Sequence, residues 1–336
     1  MPPVPLILDV DTGVDDALAL LYACASPEAE LILATCLMGN VSTAHVVRNT
    51  LAVLELVGRT DVEVAAGAER PLVREHLLFP IVHGETGLGR AELPPPSKAP
   101  SERHAARAIL DVVAERPGEV LLVATGPLTN VALAIAEEPE LPHLLRGFVL
   151  MGGAFGGRGN VTPAAEANVW VDPEAAQVVF RGFAGAPEDK LPVCIGLDVT
   201  ERVQMTKAHV DEVCAPAPDS AVARAIRGAA EFYIDFYATY GQGRFEGAAM
   251  HDPLAVAAAL DPSLVELRST RVEVETDGTW TRGETVPDLH GIRRSPWPSG
   301  WASDDNARVA LDVNAPAFIE RFNDRLRSLV VASASA

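Results

Sequence analysis

The sequence predicts a single α/β domain over residues 1–336, with an open, mostly parallel sheet of mixed Rossmann-like type and helices on both faces. Strand-like and helix-like segments alternate through the first part of the chain, which is typical of parallel sheets built from βαβ units. The length suits one large domain, and a hydrophobic content of 48% is enough for a sizeable core. No internal repeat and no linker divides the chain.

The predicted elements follow one another in a regular order. Strands are predicted at residues 4–8, 30–37, 62–66, 120–124, 148–151, 191–195 and 307–313. Helices are predicted at residues 14–25, 42–57, 101–116, 130–138 and 315–331, and within 206–240. Asp172-Pro173-Glu174 begins a further helix, with aspartate as the N-cap and proline in the first turn. Residues 264–275 and 279–282 predict a hairpin around Asp277-Gly278.

A cluster of acidic residues follows the first predicted strand directly. Asp9, Asp11, Asp15 and Asp16 place four carboxylates within eight residues. Asp9 and Asp11 face the same way on an extended segment, whereas Asp15 and Asp16 fall in the first turn of the next helix. Carboxylates this close repel one another, and a hard cation such as calcium or magnesium relieves that repulsion. Helix capping needs one aspartate, so the cluster favours a metal site.

Other polar groups are expected at the same edge of the sheet, because they also follow predicted strands. They are Gly39-Asn40, Thr125-Gly126-Pro127, and the long segment after Gly152-Gly153 that carries Asn160, Glu166 and Asn168. Each motif alone is ordinary turn chemistry. Together they bring amides and a carboxylate toward the acidic cluster, a set that suits a polyhydroxylated ligand such as a sugar.

The histidine motifs and one aromatic helix each leave two interpretations open. Asp252 is either a helix N-cap before Pro253 or a metal ligand, and its neighbour His251 alone is typical of a structural histidine. His83 lies in a glycine-flanked loop, either at the surface or in contact with a ligand. The aromatic residues of 232–240 form either a core stripe or a lid that stacks on a flat heterocycle. Residues 76–89 and 152–163 are long loops, which favours a functional role.

Composition excludes several classes of partner. The net charge of −19 argues against nucleic acid and anionic membranes as partners. The four cysteines show no CxxC spacing and are predicted to be buried thiols. We expect neither a signal peptide nor a membrane-spanning segment, and therefore a cytoplasmic protein.

These motifs together resemble the inosine–uridine-preferring nucleoside hydrolase family. The stretch Asp9-Val10-Asp11-Thr12-Gly13-Val14-Asp15-Asp16 resembles the amino-terminal metal motif of that family. The resemblance continues in order through Gly39-Asn40, His83-Gly84-Glu85, Thr125 to Asn130, Met151-Gly152-Gly153, Gly159 to Pro163, Glu166 with Asn168, His251-Asp252-Pro253-Leu254 and Thr281-Arg282-Gly283. Thr12 replaces a frequent proline, and Ala167 replaces a frequent aromatic residue. The second departure concerns base preference.

The resemblance implies the nucleoside hydrolase fold and calcium-dependent hydrolysis of the N-glycosidic bond of purine or pyrimidine ribonucleosides. It implies that Ca²⁺ is held by Asp11, Asp16, Asp252 and the backbone carbonyl of Thr125. Asp11 would also act as the general base on the attacking water. The family's oligomers further imply a homodimer or homotetramer.

The resemblance also implies how the nucleoside is held. Groups expected at the ribose 2′- and 3′-hydroxyls are Asp15, Asn40 and Asn168. Asn160 and Glu166 are expected at the 5′-hydroxyl. His251 is expected to protonate or polarise the leaving base, and His83 to contact it.

Two alternatives remain open at the level of sequence. A haloacid-dehalogenase-type phosphatase also begins with Asp-x-Asp at a strand end, but needs a lysine for phosphate, and Lys98, Lys190 and Lys207 have unsuitable contexts. A non-catalytic, calcium-dependent nucleoside-binding protein would keep the same motifs. The intact set of Asp11, Asp16 and Asp252 argues against it.

Overall fold

A sheet of eight strands forms the centre of the structure, a computed structural model that describes residues 2–75, 78, 80–294 and 301–334. The strands in these ranges are β1 (Val4–Val10), β2 (Ala29–Cys36), β3 (Glu63–Ala66), β4 (Leu121–Ala124), β5 (Gly147–Met151), β6 (Val193–Ile195), β7 (Gln204–Met205), β8 (Ala248–Ala249), β9 (Val265–Thr270), β10 (Val272–Val274), β11 (Thr285–Pro287) and β12 (Ala307–Val313).

Helices connect most of the strands. They are α1 (Val14–Ala25), α2 (Thr43–Leu56), α3 (Pro80–His83), α4 (Ala105–Glu115), α5 (Thr129–Glu137), α6 (Leu141–Leu144), α7 (Ala167–Val171), α8 (Pro173–Gly182), α9 (Leu197–Thr200), α10 (Lys207–Cys214), α11 (Ala221–Tyr240), α12 (His251–Leu260) and α13 (Ala315–Ser333). Short 3₁₀ turns are formed by Glu188–Lys190, Pro262–Leu264 and Ile292–Arg294.

The strand order of the main sheet is β3-β2-β1-β4-β5-β6-β12-β9. Neighbouring strands are parallel except for the edge pair β12 and β9, which is antiparallel. The chain therefore moves outward from β1 to β3 and then crosses to β4 on the other side. This reversal opens a crevice at the carboxyl ends of β1 and β4, where ligands bind in sheets of this type.

Two hydrophobic clusters cover the two faces of the sheet. Successive strand residues point to opposite faces. Leu6 and Leu8 accordingly join the cluster formed with α1, α2 and α10 to α13, whereas Ile7 joins the cluster formed with α4, α5, α6 and α8. Burial on both faces explains why β1 is an almost continuous apolar run until its carboxyl end. The predicted single α/β domain with a mixed, mostly parallel sheet is confirmed.

The predicted hairpin of residues 264–275 and 279–282 is wrong in its pairing. The first segment divides at Arg271 into β9, which pairs with β12, and β10, which pairs with β11. A two-residue turn of the expected kind needs glycine with a positive φ, and Gly278 does not have one. Instead the Glu275 carboxylate accepts the backbone N–H groups of Asp277 and Gly278, and the loop extends to Gly283.

Smaller differences concern a helix start, a long loop and the thiols. Helix α4 begins at Ala105 because the His104 side chain caps it. The predicted loop of residues 76–89 contains α3, while residues 76, 77 and 79 lie outside the described residues. All four cysteines are free, and Cys24 is half-buried rather than buried. Among the described helices, none has both the length and the apolar character that crossing a membrane requires.

Candidate active site

Asp16 ties the end of β1 to the end of β4. One carboxylate oxygen, Oδ2, accepts the backbone N–H of Gly13 at 2.9 Å and so caps α1. The other, Oδ1, accepts the Thr125 hydroxyl at 2.7 Å and the backbone N–H of Asp11 at 3.3 Å. The first helical turn and two neighbouring strand ends are therefore fixed around one buried carboxylate.

Asp11 is held from the side of β2. Its Oδ2 accepts the backbone N–H of Asn40 at 2.8 Å. A Cβ at position 39 would collide with the Asp11 carboxylate, so the chain after β2 needs glycine there to approach this closely. The Asn40 side chain also donates to Asp16 Oδ2 at 3.3 Å. The Gly39-Asn40 motif thus lies beside the acidic cluster, as predicted.

Asp252 joins the cluster from α12, far away in the sequence. Carboxylate oxygens of Asp15, Asp16 and Asp252 all lie within 4.8 Å of one another, and all three residues are buried. Asp15 Oδ1 has no hydrogen-bond partner in the described part of the chain. An orphaned carboxylate oxygen among three converging carboxylates fits a hard metal ion. The predicted ligand Asp11 is the neighbour of this trio, and Asp15, predicted at the ribose, belongs to it.

The electrostatics of the cluster also fit a cation. Burial raises the pKa of Asp15 to about 7, and the charge of Asp16 adds to the effect. Burial likewise holds the pKa of Asp252 well above its usual range, followed by the charges of Asp15 and Asp16. The pKa of Asp11 is also raised, by burial first and then by the charge of Asp16. A bound cation would favour the ionised forms that burial and mutual repulsion disfavour.

The polar residues predicted to hold a sugar line one pocket of about 360 Å³. Predicted site residues in its lining are Asp15, Asn40, His83, Thr125, Asn160, Glu166, Asn168, His251 and Asp252. The other two, Asp11 and Asp16, lie beneath this lining, where they contact Asn40 and Thr125 respectively. The structure therefore brings all the predicted site residues together.

The segment 160–168 forms one wall of the pocket. Glu166 caps α7 and accepts the backbone N–H groups of Asn168 at 2.8 Å and Gly153 at 3.0 Å. The side-chain amide of Asn168 donates to the Thr125 carbonyl at 2.7 Å, so this carbonyl keeps one lone pair for another partner. Asn160 Oδ1 accepts the backbone N–H of Ala167 at 2.9 Å.

The opposite end of the pocket is aromatic. Its lining includes Tyr233, Phe236, Tyr237 and Tyr240 from α11. Helix α11 therefore lines the pocket as well as the core, since Tyr233 is also buried in the larger hydrophobic cluster. The Tyr233 hydroxyl donates to Asp15 Oδ2 at 3.3 Å and so connects the aromatic end to the acidic end.

His83 is a buried, neutral group at this aromatic end. Its Nδ1 accepts the backbone N–H of Val14 at 3.2 Å, which places the ring proton on Nε2. Burial lowers the pKa of His83 to about 3. The ring lies 5.6 Å from the Tyr233 ring, centroid to centroid. His83 can therefore donate one hydrogen bond from Nε2 without carrying charge.

His251 is held from both sides. Its Nδ1 lies 2.7 Å from the Thr200 hydroxyl, and its Nε2 lies 2.6 Å from the Tyr237 hydroxyl. Burial lowers the pKa of His251 to about 4, so the ring is neutral near pH 7. Sequence reasoning missed both hydroxyl partners. The spacing of Tyr233 and Tyr237, one helical turn apart, is the signal that marks the face of α11 toward the pocket.

The lysines do not support a phosphatase. Lys190 Nζ donates to the Leu145 carbonyl at 2.7 Å, and Lys207 pairs with Asp235 at 3.2 Å. The Lys98 backbone binds the Glu55 carboxylate at the surface. Within the described lining of the pocket there is no lysine to hold a phosphate.

The pocket has a buried, oxygen-rich end and an aromatic end with neutral imidazoles. Such a pocket defines a candidate hydrolase whose substrate is a sugar joined to a flat ring. The family model described as "Inosine-uridine preferring nucleoside hydrolase" matches residues 6–320. The chain belongs to this family, which confirms the predicted enzyme class of N-glycosidic-bond hydrolases. The family match supports neither the phosphatase nor the non-catalytic binder.

Proteins that are similar in sequence or in structure are also nucleoside hydrolases by name. The pyrimidine-specific ribonucleoside hydrolase RihA of Photobacterium profundum is 40% identical over 96% of this chain and 98% of its own length. RihA of Escherichia coli O9:H4 is 38% identical, with the same coverage. Among solved structures, the purine-preferring ribonucleoside hydrolase from Gardnerella vaginalis has a TM-score of 0.88 at 36% identity, covering 98% of this chain and 99% of its own. The plant nucleoside hydrolase PpNRh1 has a TM-score of 0.90 at 32% identity, covering 97% and 100%.

The carboxylate trio predicts that a variant lacking one member loses the stabilisation that calcium gives to the parent protein. Parent protein is expected to gain about 2.7 kcal/mol at a hundredfold excess of calcium over Kd, a rise in Tm of several degrees. Asp252→Asn removes one charge, so its Tm in chelator should equal or exceed that of the parent, but its calcium-induced rise should be lost. Asp235→Asn, on the surface of α11, is the control and should keep the rise. A full calcium response in Asp252→Asn would contradict the assignment.

Proposed function

We propose that the protein hydrolyses the N-glycosidic bond of ribonucleosides to ribose and free base, in a calcium-dependent reaction. The supporting observation is the pocket itself, with buried carboxylates at one end and aromatic rings with neutral histidines at the other. The acidic end suits the ribose hydroxyls and the attacking water. The aromatic end suits the base, because flat rings stack on aromatic side chains.

Calcium is the proposed metal because the converging ligands are oxygen atoms. Asp11, Asp16, Asp252 and the Thr125 carbonyl would hold it, with Asp15 close enough to share the cluster. The free lone pair of the Thr125 carbonyl supports its place in this set. When bound, the cation supplies Lewis acidity that makes a water molecule more acidic.

Asp11 is the proposed general base. The Asn40 backbone N–H is bound to Asp11 Oδ2, which fixes the carboxylate and leaves Oδ1 to accept a proton from water. Burial raises the pKa of Asp11 in the metal-free chain, and a bound cation would keep its carboxylate ionised and able to accept a proton. The deprotonated water then attacks the anomeric carbon as the bond to the base breaks.

The remaining polar groups would hold the ribose. Asp15, Asn40 and Asn168 are proposed for the 2′- and 3′-hydroxyls. Asn160 and Glu166 are proposed for the 5′-hydroxyl, since Glu166 Oε1 accepts a single backbone N–H and keeps a lone pair. Contacts of this kind favour catalysis when they strengthen as the sugar gains oxocarbenium character.

His251 and His83 would act on the leaving base. Both are neutral near pH 7, because burial lowers the pKa of each well below its usual value. His83 would donate a hydrogen bond from Nε2 to the departing ring. Both nitrogens of His251 already face hydroxyls, so His251 would polarise the ring through the Tyr237 hydroxyl that lies beside its Nε2. The Tyr237 hydroxyl, 2.6 Å from His251 Nε2, would help to orient the histidine.

Assembly and compartment are also proposals. A homodimer or homotetramer rests on the family resemblance. A cytoplasmic location is supported by four free thiols, which persist in a reducing compartment.

The activity itself is tested by measuring free ribose from a panel of purine and pyrimidine ribonucleosides and their 2′-deoxy counterparts. Ribonucleosides are expected to release sugar in the presence of calcium. A 2′-deoxynucleoside leaves buried polar groups unpaired. Its kcat/KM should therefore be lower than that of the ribonucleoside, by a factor that corresponds to roughly 1–3 kcal/mol or more of lost transition-state stabilisation. No ribose from any member of the panel would refute the activity, and equal kcat/KM for inosine and 2′-deoxyinosine would refute the ribose contacts.

Asp11→Asn tests the base. The amide keeps an oxygen for the Asn40 N–H but cannot accept the water proton, so kcat should fall on the order of a hundredfold or more. Because Asp11 is also a proposed calcium ligand, kcat is compared at a calcium concentration above which the rate of the variant no longer rises. A kcat within a few-fold of the parent would remove Asp11 from this role.

His251→Ala tests leaving-group activation by comparing two substrates. Nucleosides release a poor leaving group, whereas p-nitrophenyl riboside releases a stable phenolate that needs little assistance. The variant should therefore lose about 10²–10⁴-fold on nucleosides and much less on the phenyl riboside. Equal loss on both substrates would show that His251 only supports the site.

A further inference from the structure

Beneath the acidic cluster, the side-chain amide of Asn130 links the start of α5 to the ends of three neighbouring strands, β1, β2 and β3. Asn130 lies in the first turn of α5, which follows β4. Its Nδ2 donates to Asp9 Oδ1 in β1 at 2.8 Å and lies 3.4 Å from the Cys36 carbonyl at the end of β2. Its Oδ1 accepts the backbone N–H of Ala68, just after β3, at 2.9 Å. The residue is completely buried.

The backbone around Asn130 is shaped to admit this amide. A Cβ at position 67 would collide with Asn130 Oδ1, so only glycine allows the chain after β3 to pass this closely. Gly67 in turn donates its backbone N–H to the Cys36 carbonyl at 2.8 Å. The amide and the glycine together fix β2 and β3 against the start of α5.

Asp9 is the ionisable member of this link. Its Oδ1 accepts the Thr35 hydroxyl at 2.6 Å as well as the Asn130 amide, while its Oδ2 has no hydrogen-bond partner in the described residues. Thr35 and Asn130 therefore supply the hydrogen bonds that hold this buried side chain in place. Asp11 follows the end of β1 two positions after Asp9, so the position of Asp9 constrains that of Asp11.

The residues proposed to hold the metal follow these same strand ends. Thr125 follows β4, and its backbone N–H donates to the Asp9 carbonyl at 2.8 Å. Asn40 follows β2 and binds the Asp11 carboxylate. The relative alignment of β1, β2 and β4 thus determines where Asp11 and the Thr125 carbonyl lie relative to each other.

We propose that Asn130 is a positioning residue for the metal site. Its amide holds the carboxyl ends of β3, β2 and β1 against the start of α5, which follows β4, in the alignment at which Asp11 and the Thr125 carbonyl would meet one ion. Asn130 is absent from the described lining of the pocket, so it acts through these strand ends and not through substrate. The inference rests on the proposed function, since it concerns calcium binding at that site.

The test measures calcium affinity directly by isothermal titration calorimetry, in the absence of substrate. Asn130→Ala should raise the Kd for calcium about tenfold or more, the range typical of residues that orient metal ligands. Val131→Ala is the matched control, because Val131 is the next residue of the same helix and is equally buried. Val131→Ala should lower Tm through lost packing. Its Kd for calcium should stay within about twofold of the parent value, well below the tenfold increase expected of Asn130→Ala.

The outcomes separate the possible failures. A Kd for Asn130→Ala within about twofold of the parent, with a lowered Tm, would make Asn130 merely structural, because orienting residues typically cost more. Equal increases in Kd for Asn130→Ala and Val131→Ala would also overturn the inference. If Asn130→Ala does not fold, Asn130→Ser keeps a small polar group without new charge and is judged by the same Kd. A parent that binds no calcium would refute the proposed metal dependence and, with it, this inference.

Discussion

Mutual repulsion among buried carboxylates is the constraint on which this structure depends. Asp11, Asp15, Asp16 and Asp252 are brought together where water is largely excluded. The surrounding chain offsets part of that cost with backbone N–H donors, the Thr125 hydroxyl and the first turn of α1. These donors must come from several strand ends at once, so glycines are needed where the backbone approaches the carboxylates. These strand ends converge at the crevice between β1 and β4, where their donors can reach the carboxylates.

Burial shifts the ionisable groups of the two ends of the pocket in opposite directions. It raises the pKa of the aspartates at one end and lowers the pKa of His83 and His251 at the other. Both shifts favour the uncharged form. A bound cation would favour the ionised carboxylates and would further disfavour the protonated histidines, because its charge attracts the first and repels the second. One pocket can therefore combine a basic carboxylate with neutral hydrogen-bond donors.

Local sequence patterns predicted the parts of the site that lie within single βα units. The strand-to-helix transition at Asp9 to Asp16 and the N-cap at Asp172 were both readable from spacing, because the chemistry lies in adjacent residues. The predicted hairpin was wrong because the Glu275 carboxylate accepts the N–H groups of Asp277 and Gly278, so these residues belong to a longer loop and not to a two-residue turn. The partners of His251 could not be read from spacing, since Thr200 and Tyr237 come from α9 and α11. The closeness of Asp15 to Asp252 likewise arises only from the packing of α12 against α1.

That packing has a consequence for how the chain folds. The acidic motif is made at the very start of the chain, but its partners come late, as shown by the contact between Tyr233 and Asp15 across 218 positions. Closing so long a loop carries an entropic cost that must be met before the contact contributes. A chain still emerging from the ribosome carries the aspartates of β1 and α1 without the helix that completes their cluster. The cluster is therefore complete only after α11 and α12 have packed against α1, and an ion that needs all three carboxylates would bind only at that stage.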